Sequence, residues 1–399
     1  GSLLCGLAPS TEWLIAARAL QGIGATMLNP VAMAIIVNTF TEPTQRARAI
    51  GVFASMSGFA LALGPVLGGG LVDAFGWQAI FLINVPIIGT AIVAAVLLVP
   101  ESRAARPRRF DPIGQTLVVT LLGSVVYAVI ESRQLGWNSP VIVGLLAIAT
   151  LSVAAIVAYE CRRSDPLLEL RLFRSAPFAA ALVMVLCALI AFGAYLFTTT
   201  LYLQDVRDMS ALAAGLTLLP VGALVMLLSP LSGRIVGARG TRIPLIVSGV
   251  ALVAAGAASL RLTPTTPLAY VLAVAVLIGI FFGLVNPPIT NTAVTGMPRS
   301  MAGLAGSLAS VGRQTGTTVG VAIAGTLLGP KLTGDATGFT TTAHALWWML
   351  ICMGVALILL TLLSTGAWAK ATAAHTATLF TELEPRSFQQ PGDVERAPT

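Results

Sequence analysis

Charge is scarce in this chain of 399 residues. Asp, Glu, Lys and Arg together make up 10% of it, against about 25% in an ordinary soluble domain, and the mean hydropathy is +0.89. Those values exclude a water-soluble enzyme, and no nucleophile–base pair supports an enzymatic reading. The four cysteines, Cys5, Cys161, Cys187 and Cys352, are isolated singles, so neither a disulfide framework nor a thiolate metal site is expected. The two histidines, His344 and His375, are too far apart in sequence for a local metal motif, and no cofactor is called for. None of the sixteen acidic residues sits in the middle of an apolar run: Glu131 and Asp205 lie near outer ends, and Asp73 at a turn. The opening, GSLLCGLAPS, lacks an initiating Met and the basic region of a signal peptide. It reads as the end of a hydrophobic helix whose upstream sequence is missing.

Long apolar runs fill the rest. After the remnant ending near Ala8, spans are expected over 13–37, 46–71, 77–99, 112–131, 140–160, 177–203, 211–236, 243–260, 267–290, 302–328 and 343–367. Each is close to the ~20 residues needed to cross a bilayer. The prediction is an all-α polytopic membrane protein with about eleven complete transmembrane helices and a partial first one. Turn chemistry marks the breaks: Glu42-Pro43, Pro100-Glu101, Asn138-Ser139-Pro140, Asp165-Pro166, Pro264 to Pro267 and Met297-Pro298. In alternate loops, seventeen Lys and Arg fall on the side of Arg46 and Arg48, while Arg133, Arg207, Arg261 and Lys331 make four on the other. The positive-inside rule makes the first side cytoplasmic, with the C-terminus on it. The net charge of +7 thereby follows from topology, without a nucleic-acid partner.

Within the spans, the uncharged stretch Gly51–Gly70 holds six glycines and Pro65. Bare of side chains and short of one backbone N–H, such a helix is suited to close contact and bending. Two cations lie inside spans, Arg18 and Arg313. A buried Arg at a helix centre costs at least ~2.5 kcal/mol, so each should face a partner or a wet cavity. Arg18, Gln21, Ala25 and Asn29 fall on one helical face. Arg313 sits among Gly312, Gly316 and Gly320, a packing seam at four-residue spacing. Candidate substrate-lining residues are Tyr195, Thr199 and Tyr202 on one face, overlapped by Thr198 and Asp205. A second face carries Gly279, Gly283, Asn286 and Thr290 beside Pro287-Pro288, where a broken helix would expose carbonyls. Such a cavity would suit bulky apolar or cationic compounds.

The register Gly51, Ala60, Gly64-Pro65, Gly68-Gly69 resembles the antiporter motif on the fifth helix of proton-driven drug exporters of the major facilitator superfamily, with Ala60 replacing one glycine. Trp77 to Pro86 is similar to the opening of the next helix in that superfamily's fourteen-helix drug:proton antiporter branch. The segment Arg18 to Gly24 is similar to the fourth-helix motif, whose arginine is implicated in proton coupling. Gly312-Arg313-Gln314-Thr315-Gly316 looks like a late helix of the same branch. The loop motif between the second and third helices is absent, and its echo, Gly233 to Arg242, has Gly237 where the family places an Asp.

The resemblance implies an N-terminally truncated member: residues 1–100 as the remnant of an N-terminal bundle, 101–174 as two linking helices with cytoplasmic flanks, 175–370 as a six-helix C-terminal bundle and 371–399 as a largely disordered cytoplasmic tail. It implies export of small amphipathic or cationic compounds in exchange for protons by alternating access, from the plasma or inner membrane. Arg18, Gln21, Gly64, Pro65, Gly68, Gly69 and Arg313 would serve coupling and gating. Asn29, Tyr195, Thr199, Tyr202, Asn286 and Thr290 would serve substrate binding. The expected partners are the small-molecule substrate, protons and the lipid bilayer, with an envelope-spanning adaptor if the source is Gram-negative. Two alternatives stand beside this reading: an exporter of the same fold for a dedicated metabolite or lipid, and a non-transporting membrane scaffold or inactive truncation product.

Overall fold

In the computed structural model the described residues are 1–40, 42–99, 111–163, 169–295, 299–328 and 336–381, and among them the regular secondary structure is all helical. The arginine-rich segment 101–110, Asp165-Pro166, Met297-Pro298, Lys331 and the tail from Glu382 lie outside the described residues, as do the side chains of Asn29, Arg46, Arg48 and Arg133.

Short α1 (Ser2–Gly6) precedes α2 (Thr11–Thr39), which starts where Ser10 accepts a hydrogen bond from the Trp13 amide. Next, α3 (Pro43–Phe75) runs 33 residues with Pro65 inside it and stops at Gly76, whose φ of 82° strains any side-chain-bearing residue. The expected span 77–99 is interrupted at Ile83 into α4 (Ala79–Leu82) and α5 (Asn84–Leu98). The pair α6 (Pro112–Leu135) and α7 (Pro140–Glu160) each open on proline, which tolerates the first helical turn because its missing N–H would be unpaired there anyway.

A 3₁₀ turn at Leu170–Arg174 leads into α8 (Ala176–Leu201), which ends in a π turn at Tyr202–Val206. The remaining helices are α9 (Ala211–Arg239), α10 (Arg242–Ser259), α11 (Leu268–Val294), α12 (Arg299–Leu328), α13 (Ala336–Ser364) and α14 (Ala367–Thr381). The tail expected from 371 thus begins as helix: the run AWAKATAAH is rich in alanine, the strongest helix former.

Among the described residues, eight helical segments are long and apolar enough to cross a membrane. At 29, 33 and 30 residues, α2, α3 and α12 also have the length to cross a bilayer. α5 leaves Val96, Leu97 and Leu98 more than 70% exposed, as suits a helix whose solvent is lipid.

The chain divides into two compact units. The first comprises Gly1–Phe110, Thr200–Leu227 and Thr265–Gly279. There α1 lies against α2 and α4, and the Trp13 indole donates to the Leu4 carbonyl at 3.3 Å. The second comprises Asp111–Thr199, Leu228–Pro264 and Ile280–Thr399. Its tightest pair is α10 with α13, where Gly249 and Gly354 face each other and a methyl group on either would press on the other's carbonyl. The α6–α7 hairpin joins the same unit through α12, whose Thr326 hydroxyl donates to the Val129 carbonyl of α6 at 3.0 Å.

Candidate functional site

The glycine-rich half of α3 meets the first half of α9 at backbone distance. A methyl group at Gly69 would strike the Ala211 carbonyl, one at Gly215 the Pro65 carbonyl, and one at Gly222 the Ala62 backbone. Ala62, Pro65, Gly69 and Asp73 recur at helical spacing and form one stripe. Gly64 and Gly68 lie on a different face, with open space where a Cβ would stand. The expected seam is therefore present, but it is built by Ala62, Pro65 and Gly69 with Gly215 and Gly222 of α9. The motif's register named two of its contact positions and missed the partner helix.

Asp73, expected at a turn, lies inside α3 and reaches the start of α9. Its carboxylate accepts from the Ala211 amide at 3.1 Å and the Leu212 amide at 2.9 Å. No local signal marks it, because its partners are 138 and 139 residues away.

Arg18 donates to the Gln21 side-chain carbonyl at 2.6 Å, and Gln21 donates onward to the Ser2 hydroxyl at 2.7 Å. The guanidinium also stands 5.6 Å from the centre of the Phe81 ring, a cation–π contact. The structure thus joins Arg18 and Gln21, as the shared face implied. Arg18 is exposed, and Asn29 lies on the same helix with its side chain outside those described.

On α8 the polar face is buried deeply: Tyr195 is 1% exposed, Thr198 0% and Thr199 2%. None of their hydroxyls makes a full hydrogen bond to the protein among the described residues. That is unusual within this chain, since Thr217, Thr292, Thr317, Thr326 and Thr361 each donate to the carbonyl four residues back. Leaving such groups unsatisfied costs about 1–3 kcal/mol each, and the Thr199 hydroxyl stands beside that of Tyr195. The Tyr195 ring is tilted against Trp347 of α13, with centroids 6.4 Å apart. Tyr202 belongs to the first unit, where it is buried and packs under the Arg207 guanidinium.

The prolines of α11 do not break the helix, contrary to the expected exposed carbonyls. Pro287 and Pro288 deprive Gly283 and Leu284 of their usual donors four residues on. Two serines of α9 replace them: Ser229 donates to the Gly283 carbonyl at 3.1 Å and Ser232 to the Leu284 carbonyl at 2.9 Å. The helix continues because its neighbour completes the ladder. Asn286 and Thr290 direct their polar groups to their own helix, to the Phe282 and Asn286 carbonyls.

Gly312, Gly316 and Gly320 of α12 face Val185, Leu189 and Ile190 of α8, so this stripe is a packing seam. Arg313 is half-buried with no ion-pair partner among the described residues. At the head of α6, Asp111 accepts from the Gly114 amide at 3.0 Å and the Tyr159 hydroxyl at 3.0 Å, and pairs with Arg163 at 2.5 Å. The Gly114 amide chiefly, with Tyr159 and Arg163, holds its pKa below the ordinary 3.8 against the opposing effect of burial. No group of three or more His, Cys, Asp or Glu that could hold a metal occurs among the described residues.

A multi-pass helical membrane protein with a glycine-lined interhelical seam and a buried cluster of hydroxyls is the class that these features define. Residues 1–321 match the model of the Major Facilitator Superfamily, and the chain belongs to that family of transporters. Its relatives include the multidrug resistance protein Stp of Mycobacterium tuberculosis, 38% identical over 328 residues, which cover 82% of this chain and 61% of that protein. The tetracenomycin C resistance and export protein of Streptomyces glaucescens is 32% identical over 333 residues, 83% of this chain and 62% of the relative. The methylenomycin A resistance protein of Streptomyces coelicolor is 37% identical over 334 residues, 82% and 69% respectively. The aligned part of this chain spans about three fifths of the length of the first two relatives.

Proposed function

We propose that the protein is a secondary active exporter that expels small amphipathic compounds in exchange for protons, by alternating access. The observation that carries this reading is the α3–α9 seam, where Gly69, Gly215 and Gly222 let backbones touch along more than two turns. A contact without side-chain interdigitation can separate and re-form without repacking a core. The relatives named for resistance to, and export of, antibiotics support the direction of transport.

In this scheme residues 1–100 and 175–370 form the rocking bundles, 101–174 the linking helices and 371–399 a cytoplasmic tail, with the arginine-rich loops facing the cytoplasm. Arg18, held by Gln21, serves proton coupling. Gly64, Pro65, Gly68 and Gly69 give the hinge, and Arg313 lines the opposing path. Tyr195 and Thr199, with Thr198, offer hydrogen bonds to the substrate beside the Trp347 ring, while Tyr202, Asn29, Asn286 and Thr290 line its route.

Proton exchange driven by substrate, measured in vesicles with the full-length protein, tests the scheme. Arg18→Ala should uncouple proton movement from export and Pro65→Leu should slow both. Unchanged coupling in the two variants would overturn it.

Export of one dedicated compound is the second reading, favoured by relatives named for tetracenomycin C, methylenomycin A and puromycin. A resistance panel separates the two: protection against a single chemical class supports the dedicated exporter, and protection across classes supports multidrug export.

A further inference from the structure

At the start of α9 the amides of Ala211, Leu212 and Ala213 have no carbonyl of their own helix to bond, and all three find another acceptor. The Ala213 amide bonds the Ser210 hydroxyl at 3.2 Å, which is ordinary local capping, and the Ala214 amide begins the helix's own ladder on the Ser210 carbonyl at 2.9 Å. The remaining two, Ala211 and Leu212, are taken by one carboxylate from another helix, Asp73 near the end of α3. Two of the three bonds therefore exist only while the two helices are together.

The receiving turn is firmly built. Arg207 donates to the Thr266 carbonyl at 2.8 Å, the Met209 amide bonds the Leu203 carbonyl at 3.0 Å, and Asp208 holds a left-handed φ of 52°. Asp73 also stands in line with Ala62, Pro65 and Gly69, at the end of the seam away from Arg46 and Arg48.

We propose that Asp73 is a clasp: a positioning residue that holds the far end of the α3–α9 seam shut and must let go of the Ala211 and Leu212 amides for the seam to open. Hydrogen bonds from two amides to a carboxylate at a helix N-terminus are charge-assisted and favoured by the helix dipole, whereas the glycine contacts below contribute little directional hold. The clasp thus supplies the bistability that bare backbone packing lacks. It rests on the reading of the seam as the moving contact.

The test uses full-length protein in proteoliposomes, with every other cysteine replaced except native Cys187 and with Gly70→Cys as reporter. A side chain at Gly70 meets nothing nearer than Leu212 Cδ1 at 3.7 Å, so a thiol fits without disturbing the seam. The rate of modification by a membrane-impermeant maleimide is compared among the parent, Asp73→Asn and Asp73→Ala. Asp73→Ala should raise the rate at position 70 at least about fivefold while Cys187, half-buried on α8, reacts as before. Asp73→Asn, whose amide oxygen still accepts from one amide, should fall between Ala and Asp. Equal rates in all three, or an equal rise at Cys187 from general loosening, would overturn the clasp. The exporter reading fails separately: a labelling difference with no substrate export by any of the three upholds the clasp and overturns that reading, while unchanged labelling in a protein that exports does the reverse.

Discussion

Removing the Ser232 hydroxyl tests whether α9 completes the hydrogen-bond ladder of α11. Ser232 is fully buried, and its 2.9 Å bond to the Leu284 carbonyl replaces the donor that Pro288 lacks. Ser232→Ala leaves that carbonyl buried without a partner. The cost should be about 1–2 kcal/mol, bracketed by interhelical bonds in membranes of about 0.6–1.7 kcal/mol and buried unsatisfied groups of about 1–3.

Pro288→Ala returns an N–H to the position four residues after Leu284. In that background Ser232→Ala should cost no more than about 0.3 kcal/mol, because the carbonyl has its intrahelical donor again. The four proteins form a cycle with a coupling energy near 1–1.5 kcal/mol, within the range for residues that share a partner. Equilibrium unfolding in mixed detergent micelles at 25 °C measures it, and the same comparison applies to Ser229 with Pro287 and the Gly283 carbonyl. If Ser232→Ala costs the same with and without Pro288, the serine is not a surrogate donor and the account of the unbroken helix is wrong.

Gly215→Ala places a methyl group against the Pro65 carbonyl, a backbone atom that cannot rotate away. Export by the full-length protein should fall at least about tenfold at normal expression, and an unaltered rate would refute the close seam as the moving contact. Tyr195→Phe and Thr199→Val keep shape while removing buried hydroxyls. If these bind substrate, the concentration for half-maximal export should rise about three- to tenfold with little change in maximal rate, and an unchanged value would show that they hold only water. Asp111 has its pKa depressed below 3.8 chiefly by the Gly114 amide, so its contribution to stability is present at neutral pH and is lost as pH falls through the lowered value. Asp111→Asn should lower the thermal midpoint at pH 7 and flatten its acid limb; parallel pH curves for the two proteins would contradict the capping role.

What could be read from the chain alone and what could not separate along a physical line. Apolar runs of bilayer length and the bias of arginine between loops are sums over many residues, so the helical membrane architecture survives error at any one position. Contacts between helices depend on one or two atoms of a residue distant in sequence. The motif around Pro65 pointed to a bare helix, yet Gly64 and Gly69 look alike in sequence, and only the position of α9 distinguishes the one facing open space from the one touching a carbonyl. Asp73 reads as a turn acid because its amides lie 138 and 139 residues on.

The α11 prolines carry the same lesson in the other direction. Two adjacent prolines read as a break, since nothing within the helix can serve the freed carbonyls, and a serine in a span ordinarily bonds its own backbone. Ser229 and Ser232 stand three apart, which puts both on one face of α9, and they address the consecutive carbonyls of Gly283 and Leu284. A three-residue serine spacing opposite a proline pair is therefore a pattern that can be sought in sequence. The same search applied to Asp73 would look for an acid at the end of a glycine-rich span together with a later helix that begins Ser-Ala-Leu-Ala, a start with one local cap and two amides left for a neighbour.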